Sequence, residues 1–241
     1  MTNKKLLSFT CAALFSAFPI ACSDSGTSAK DSFDASVVCP AEGVNAYGEP
    51  NRGTFTDERD GRVYKYVTIG KQVWMAENLK FEAPYSGCFS KIENSCDSLG
   101  RYYSLYIDGK GAEYEFSKKG IDRALTDTIC PAGWHVPTTD DWTWLYFSMG
   151  GDEKSTPRLK STFVFRDDVL QGTDDCGFNA LSVARGWSDP EPYYYFIDPD
   201  FWTSTLAEVN IINACTLGQF GVRFYRAVGD NDLRPIRCVR D

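Results

Sequence analysis

The chain has 241 residues, which suits one sizeable domain with its own core. Its 33 acidic and 25 basic residues give a formal net charge of -8, which repels phosphate backbones and argues against nucleic acid as a partner. Charge is silent about neutral glycans, and an aromatic content of 15% serves a core or a sugar-stacking platform equally well.

Lys4 and Lys5 precede a run of mostly apolar residues over 6–21 that contains Ser8, Thr10, Ser16 and Pro19. A spanning helix needs about 20 apolar residues, so this shorter run reads as a cleavable secretory signal over 1–21. Ile20-Ala21-Cys22-Ser23-Asp24 resembles a bacterial lipobox, although Pro19 stands where Leu is usual. Cys22 is therefore the candidate lipid anchor, with the membrane as partner through its acyl chains. Each buried methylene would contribute about 0.8 kcal/mol. The rival reading is ordinary cleavage nearby, with Cys22 a plain thiol. The expected location is the cell envelope outside the cytoplasm, at an outer membrane or the cell surface. Losing the leader would remove two lysines and no acid, making the remainder more acidic still. Residues 22–52 read as the anchor cysteine and a flexible linker, because Ser, Asp, Ala, Thr and Gly dominate over 23–38.

The domain is expected over 53–241. Asp60-Gly61 is a turn signal, and 63–69 is β-rich and roughly alternating. Gly70-Lys71 then turns the chain into 72–75, which makes a hairpin. Residues 101–106 form an apolar segment, strand or helix. After Pro137, Thr138 can cap a helix and Asp141 suits its first turn. Trp142, Leu145, Tyr146 and Met149 recur at i, i+3, i+4 and i+7, one apolar face that Gly150-Gly151 ends. A shorter helix is expected over 157–161. Strands are expected at 178–183, 201–206, 215–220, 222–228 and 236–239. Helix in the middle and strands at both ends predict an α+β fold of small mixed or antiparallel sheets with one or two helices.

Nine cysteines are present. Cys11 lies in the leader and Cys22 is the anchor candidate, which leaves seven. Export permits disulfides, and the wide spacings are unlike a paired-CxxC zinc site. Cys88 and Cys96 flank a short polar loop and are the first pair to expect. Spacing leaves the other connectivities open, and an odd number leaves one thiol over.

Residues 60–79 (DGRVYKYVTIGKQVWMAENL) resemble the opening block of the Fibrobacter succinogenes major paralogous domain. Later blocks follow in family order: Gly100-Arg101-Tyr102-Tyr103, residues 130–138 (CPAGWHVPT) with Trp142, residues 172–181 (GTDDCGFNAL), Phe201-Trp202-Thr203-Ser204-Thr205, and Arg237-Cys238-Val239-Arg240-Asp241. The resemblance covers nearly all of 53–241. It implies an exported protein, often a lipoprotein, of largely undefined biochemical role. It also implies a C-type-lectin-like, disulfide-stabilised fold, distantly related to formylglycine-generating enzymes, with the chain ends together in one small sheet. From that fold follow a bridge from Cys130 to Cys238, a second from Cys176 to Cys215, and Cys39 as the odd thiol.

Several motifs have a functional and a bland reading. Glu49-Pro50-Asn51 matches a calcium- and sugar-binding tripeptide of C-type lectins, but it precedes the first strand and lacks a Trp-Asn-Asp partner, so coincidence is preferred. Formylglycine-generating chemistry needs two nearby cysteines late in the chain, where only Cys238 stands. His135, the only histidine, is read as a core or turn residue rather than a catalyst. Asp140-Asp141 and Asp174-Asp175 could serve glycoside hydrolysis as an acid pair, but capping and turns are commoner uses. Asp230, Asn231 and Asp232 carry the oxygens calcium needs, the one cofactor considered, although Gly229 beside them fits an ordinary turn. Tyr193, Tyr194, Tyr195 and Phe196, with Trp187 and Trp202, are the candidate sugar-stacking platform. Asp198, Asp200 and Asn179 would take hydroxyl hydrogen bonds. The alternative is a core cluster. The expected function is a non-enzymatic ligand-binding domain of the cell envelope, with polysaccharide as candidate ligand. The rivals are a structural or protein-interaction module and, third, a hydrolase.

Overall fold

The computed structural model describes residues 33–84, 86–89, 92–107, 120–121, 123–164, 171–182, 184–185, 195–196, 198–209, 211–227 and 233–241. They belong to one compact unit, Ser32–Asp241.

Among the described residues, eight strands build the two larger sheets. In chain order they are β1 (Arg52–Thr56), β2 (Val63–Ile69), β3 (Gln72–Met75), β4 (Trp134–His135), β5 (Asp200–Glu208), β6 (Ile211–Gly218), β7 (Gly221–Ala227) and β8 (Val239–Arg240). The first sheet has the order β1-β2-β3-β8-β4, so the last strand lies between two early ones, and β5-β6-β7 form the second. Neighbours are antiparallel throughout. Short two-residue ladders pair Ser86–Gly87 with Tyr102–Tyr103, Tyr106–Ile107 with Gly120–Ile121, and Ala184–Arg185 with Tyr195–Phe196.

Period-2 alternation sends each sheet's side chains to two cores. In β2 and β3, Tyr64, Tyr66, Val73 and Met75 enter one core, while Val67, Ile69 and Trp74 enter the other. In the second sheet Trp202, Ile212 and Ala214 enter the first core, and Phe201, Cys215 and Leu217 the second. The inner strands of both sheets are therefore covered on both faces, while the edge strands β1 and β7 keep exposed positions. Gly70 turns β2 into β3 with φ of 59°, a left-handed conformation that costs glycine little.

The long helix, Thr139–Ser148, covers the second core. Thr138 and Asp141 form a capping box at its start. Trp142 and Leu145 are fully buried, and the Trp142 ring lies 4.8 Å from Trp74 and 5.0 Å from Phe201. The short helix is Ser155–Leu159, two residues before the expected 157–161. Pro157 sits inside its first turn, where no backbone N–H has an intrahelical partner to lose.

Four expectations need correction. The ordered unit begins before 53: Asn51 O accepts from Thr68 N at 2.8 Å, Val38 O from Gly70 N at 2.7 Å, and Cys39 is 1% exposed. The disulfides are Cys88–Cys96, Cys130–Cys238 and Cys39–Cys176, so the pair of Cys176 with Cys215 is overturned and Cys39 is bridged. Cys215 is the free thiol among the described cysteines, because it points from β6 into the second core, where burial and nearby Asp200 push it well above its usual pKa. The expected strand at 178–183 is a loop over its described part, 178–182. Asp174 and Asn179 hold left-handed φ of 48° and 54°, and Gly177 φ of 75°, which breaks an extended run. Farther on, Val239–Arg240 is the strand rather than 236–239, but Met75 N and Leu79 N still pair with Cys238 O and Ile236 O.

Candidate functional site

The predicted platform does not assemble among the described residues. Trp202 is fully buried, and its indole N–H donates to Tyr103 O at 2.7 Å. Asp200 is 2% exposed; its carboxylate accepts from Arg234 Nε at 3.0 Å and from the Tyr225 hydroxyl. Both residues hold the second sheet against the first core and are not available to a ligand. Asp198 is half-buried and paired with Lys160 Nζ at 2.6 Å. Tyr195 lies in the two-residue ladder with Arg185. Tyr193, Tyr194 and Trp187 fall outside the described residues, as do Asp230, Asn231 and Asp232.

The other motifs have structural partners. Glu49 pairs with Arg240, and Asn51 is buried with its amide donating to Glu42 O at 2.6 Å. Asp141 caps the long helix and faces His135. Asp175 lies 3.7 Å from Arg158. His135 bridges two carboxylates, with Nδ1 2.7 Å from Asp241 and Nε2 3.3 Å from Asp141. The Asp141 hydrogen bond raises the His135 pKa, partly opposed by burial and aided by Asp241. Burial alone would raise Asp141, but hydrogen bonds from His135 and Thr138 outweigh it and hold the carboxyl at about 2. Among the described residues no cluster of three or more His, Cys, Asp or Glu is placed to hold a metal.

A different place brings the sequence blocks together. Arg237 is 1% exposed, yet its hydrogen-bond acceptors are neutral. Nε and Nη2 donate to Asn78 Oδ1 at 3.1 and 2.6 Å, Nη1 to Phe178 O, and Nη2 also to Asn179 O at 3.3 Å. Burial lowers its pKa to about 9, against the pull of Asp174 and Glu77. The guanidinium stacks over Phe178 at 4.6 Å from the ring centre. Asn78 is committed on its other side as well, donating Nδ2 to Leu99 O at 2.8 Å. Gly100 makes room for it: a Cβ there would lie 2.5 Å from Asn78 Cβ, and its φ of 83° is left-handed. Asn78, Gly100, Asn179 and Arg237 come from four separate blocks of the sequence.

Over this floor lies a cleft of about 70 Å³. That is room for about two waters, so it takes the edge of a ligand and not a whole enclosed molecule. Its walls include Glu77, Lys80, Asp97, Ser98, Asn179 and Leu181. With Arg237 below, two carboxylates face two cations, so the lining carries no net formal charge. Glu77 is steadied by Lys65 N at 3.2 Å and Lys80 Nζ at 3.8 Å. Asn179 is held by its backbone, its N–H donating to Asp174 Oδ1 at 2.6 Å and its carbonyl accepting from Arg237, while the residue is exposed. Burial raises Asp174, outweighing the Asn179 hydrogen bond and the nearby arginines. The arrangement brings hydrogen-bond donors and acceptors of both charges together in one cleft.

Sequence pattern points to Asn179 but not to Glu77, Asn78 or Arg237 as site residues. One signal was available: Arg237 is a lone cation inside the apolar run Ile236-Arg237-Cys238-Val239, where a buried charge needs a partner.

These features define a disulfide-bonded α+β domain with a polar cleft where distant segments meet. The chain belongs to the Fibrobacter succinogenes major domain family, whose model matches residues 67–240. A search of curated proteins found no significant match. A search of solved structures found none either.

Proposed function

We propose that the protein is an exported, lipid-anchored cell-envelope protein whose domain binds a neutral, hydroxyl-rich ligand, such as the edge of a polysaccharide, without turning it over. The observation that carries this is the balanced charge of the cleft over Arg237, where Glu77 is held by Lys65 N beside Lys80 and the backbone of Asn179 is held by Asp174. Sugar hydroxyls both donate and accept, and such a mixed set suits them better than it suits an ion. Export is supported by the basic-then-apolar start of the chain, by Cys22 in a lipobox-like setting, and by three disulfides, which persist outside the cytoplasm. A C-type-lectin-like fold agrees with this reading, since the first and last parts of the domain share one sheet and Cys130 is bridged to Cys238. Fold likeness alone does not carry function, so the weight rests on the cleft.

The test is a binding screen of the oxidised protein against soluble glycans, cellulose and xylan, with calcium and with chelator. Saturable binding that competes with free sugar and weakens at least tenfold in Glu77→Gln and Asn179→Gly is the expected result. Glycine accepts the positive φ at 179, so that change removes the amide and keeps the backbone. A folded sample that binds no glycan would transfer the function to a protein partner. Turnover of a glycan would make the domain a hydrolase.

A further inference from the structure

Among the described tryptophans, Trp74, Trp142 and Trp202 are fully buried and Trp134 is 8% exposed, whereas Trp144 is 66% exposed. Phe147 is 59% exposed and lies three residues on, so both stand on the outward face of the long helix. That face points away from the core filled by Trp142 and Leu145, and two large rings in solvent need an occupant.

The lead-in to the domain arrives at the C-terminal end of this helix. Phe33 lies over the Arg158 guanidinium at 4.2 Å, and Arg158 donates to Met149 O, the carbonyl of the helix C-cap. Val38 O accepts from Gly70 N at 2.7 Å, and a Cβ on Gly70 would lie 2.6 Å from Ser148 Oγ. Phe147 overhangs the same end, since a Cβ on Gly151 would come 2.8 Å from its ring. Val37, in the lead-in itself, is 74% exposed. Phe33 follows Cys22 by eleven residues, mostly Ser, Asp, Thr, Gly and Ala. Even fully extended, eleven residues reach at most about 38 Å. A domain of this size is about 40 Å across, estimated from its expected radius of gyration. The side on which the chain enters is therefore the side turned to whatever holds Cys22.

We infer that the Trp144–Phe147 face, with Val37 beside the entry, docks on the lipid bilayer that the Cys22 acyl chains enter. The inference rests on the lipid-anchor reading. An indole suits the headgroup level, where its ring is half in hydrocarbon and its N–H is wet. The chain's net charge of -8 gives anionic lipid no electrostatic pull, so the contact is apolar and insensitive to salt. Docking holds the domain in one orientation on the membrane.

The test uses the full lipidated protein reconstituted on phosphatidylethanolamine–phosphatidylglycerol vesicles, with and without brominated acyl chains. The protein pellets with the vesicles, and bromine quenches part of its tryptophan emission. Trp144→Phe still pellets but loses most of that quench, and added salt changes neither result. Near-UV circular dichroism checks that the variant is folded. Pelleting with no quench, or with a quench that Trp144→Phe retains, overturns the docking and leaves the anchor standing. Failure to pellet, with wild type behaving as Cys22→Ala does, removes the anchor and the inference together. A Trp144 emission change on adding soluble glycan, in place of the lipid quench, assigns the face to sugar and overturns the docking.

Discussion

Arg237 is a buried cation whose acceptors are an amide and two backbone carbonyls, so its partners cannot be removed cheaply. Asn78→Ala would leave Nε without an acceptor and Nη2 with only the longer bond to Asn179 O, and is expected to cost about 3 kcal/mol in urea unfolding. Asn179→Gly leaves the backbone acceptor in place and is expected to cost less than 1 kcal/mol, near the ordinary range for an exposed position. Equal costs would mean that Asn78 is not the residue holding the guanidinium. His135 gives a pH dependence whose sign follows from its raised pKa. The folded protein holds the proton more tightly than the unfolded chain, so the contribution is full below about pH 6.5 and is lost as pH rises through the folded value. Urea midpoints should therefore fall as pH rises above about 6.5, and His135→Gln should flatten that fall. Arg237 was hard to read because a sequence shows a misplaced charge without its acceptors. The burial of Trp202 and Asp200 was hard for a related reason: both lie on a strand covered on its two faces, and aromatic-rich sequence looks the same in a core and on a platform.

At the scale of elements, local signals were legible and long-range pairings were not. The capping box at Thr138 and the spacing of Trp142, Leu145 and Met149 carry the long helix by themselves. The hairpin of β2 and β3 is carried by alternation and by Gly70. The bridge Cys39–Cys176 spans 137 residues and depends on a polar lead-in that reads as linker but folds back onto the second core. Loop-closure entropy grows with the length closed. Removing the 137-residue bridge should therefore cost about 5 kcal/mol, and removing Cys88–Cys96, which closes 8 residues, about 2.5 kcal/mol. Denaturation of the double-serine variants checks the order. Peptide mapping should recover Cys39 linked to Cys176, and Cys215 should react with a thiol reagent only after unfolding. A recovered Cys176–Cys215 peptide would contradict the arrangement.

At the scale of the whole molecule, β8 lies between β3 and β4, so the end of the chain completes the sheet that its beginning starts. Tyr47 and Glu49 add to this closure by holding Asp241 O and Arg240. Family resemblance carried this topology into the sequence reading, since no local pattern states which strands are neighbours. The same closure places Arg237 under Asn78 and Asn179, residues separated in sequence by 159 and 58 positions. The cleft is thus a product of the complete fold, and a truncated domain would lack its floor.

The most direct test of the account is to follow backbone amide signals of the oxidised, isotopically labelled protein during titration with the glycan that binds best in the screen. Saturable shifts centred on Glu77, Lys80, Gly100 and Asn179, lost in Asn179→Gly, are the predicted result. Shifts confined to another surface, or no saturable shift in a folded sample with any glycan, would contradict the assignment of the cleft.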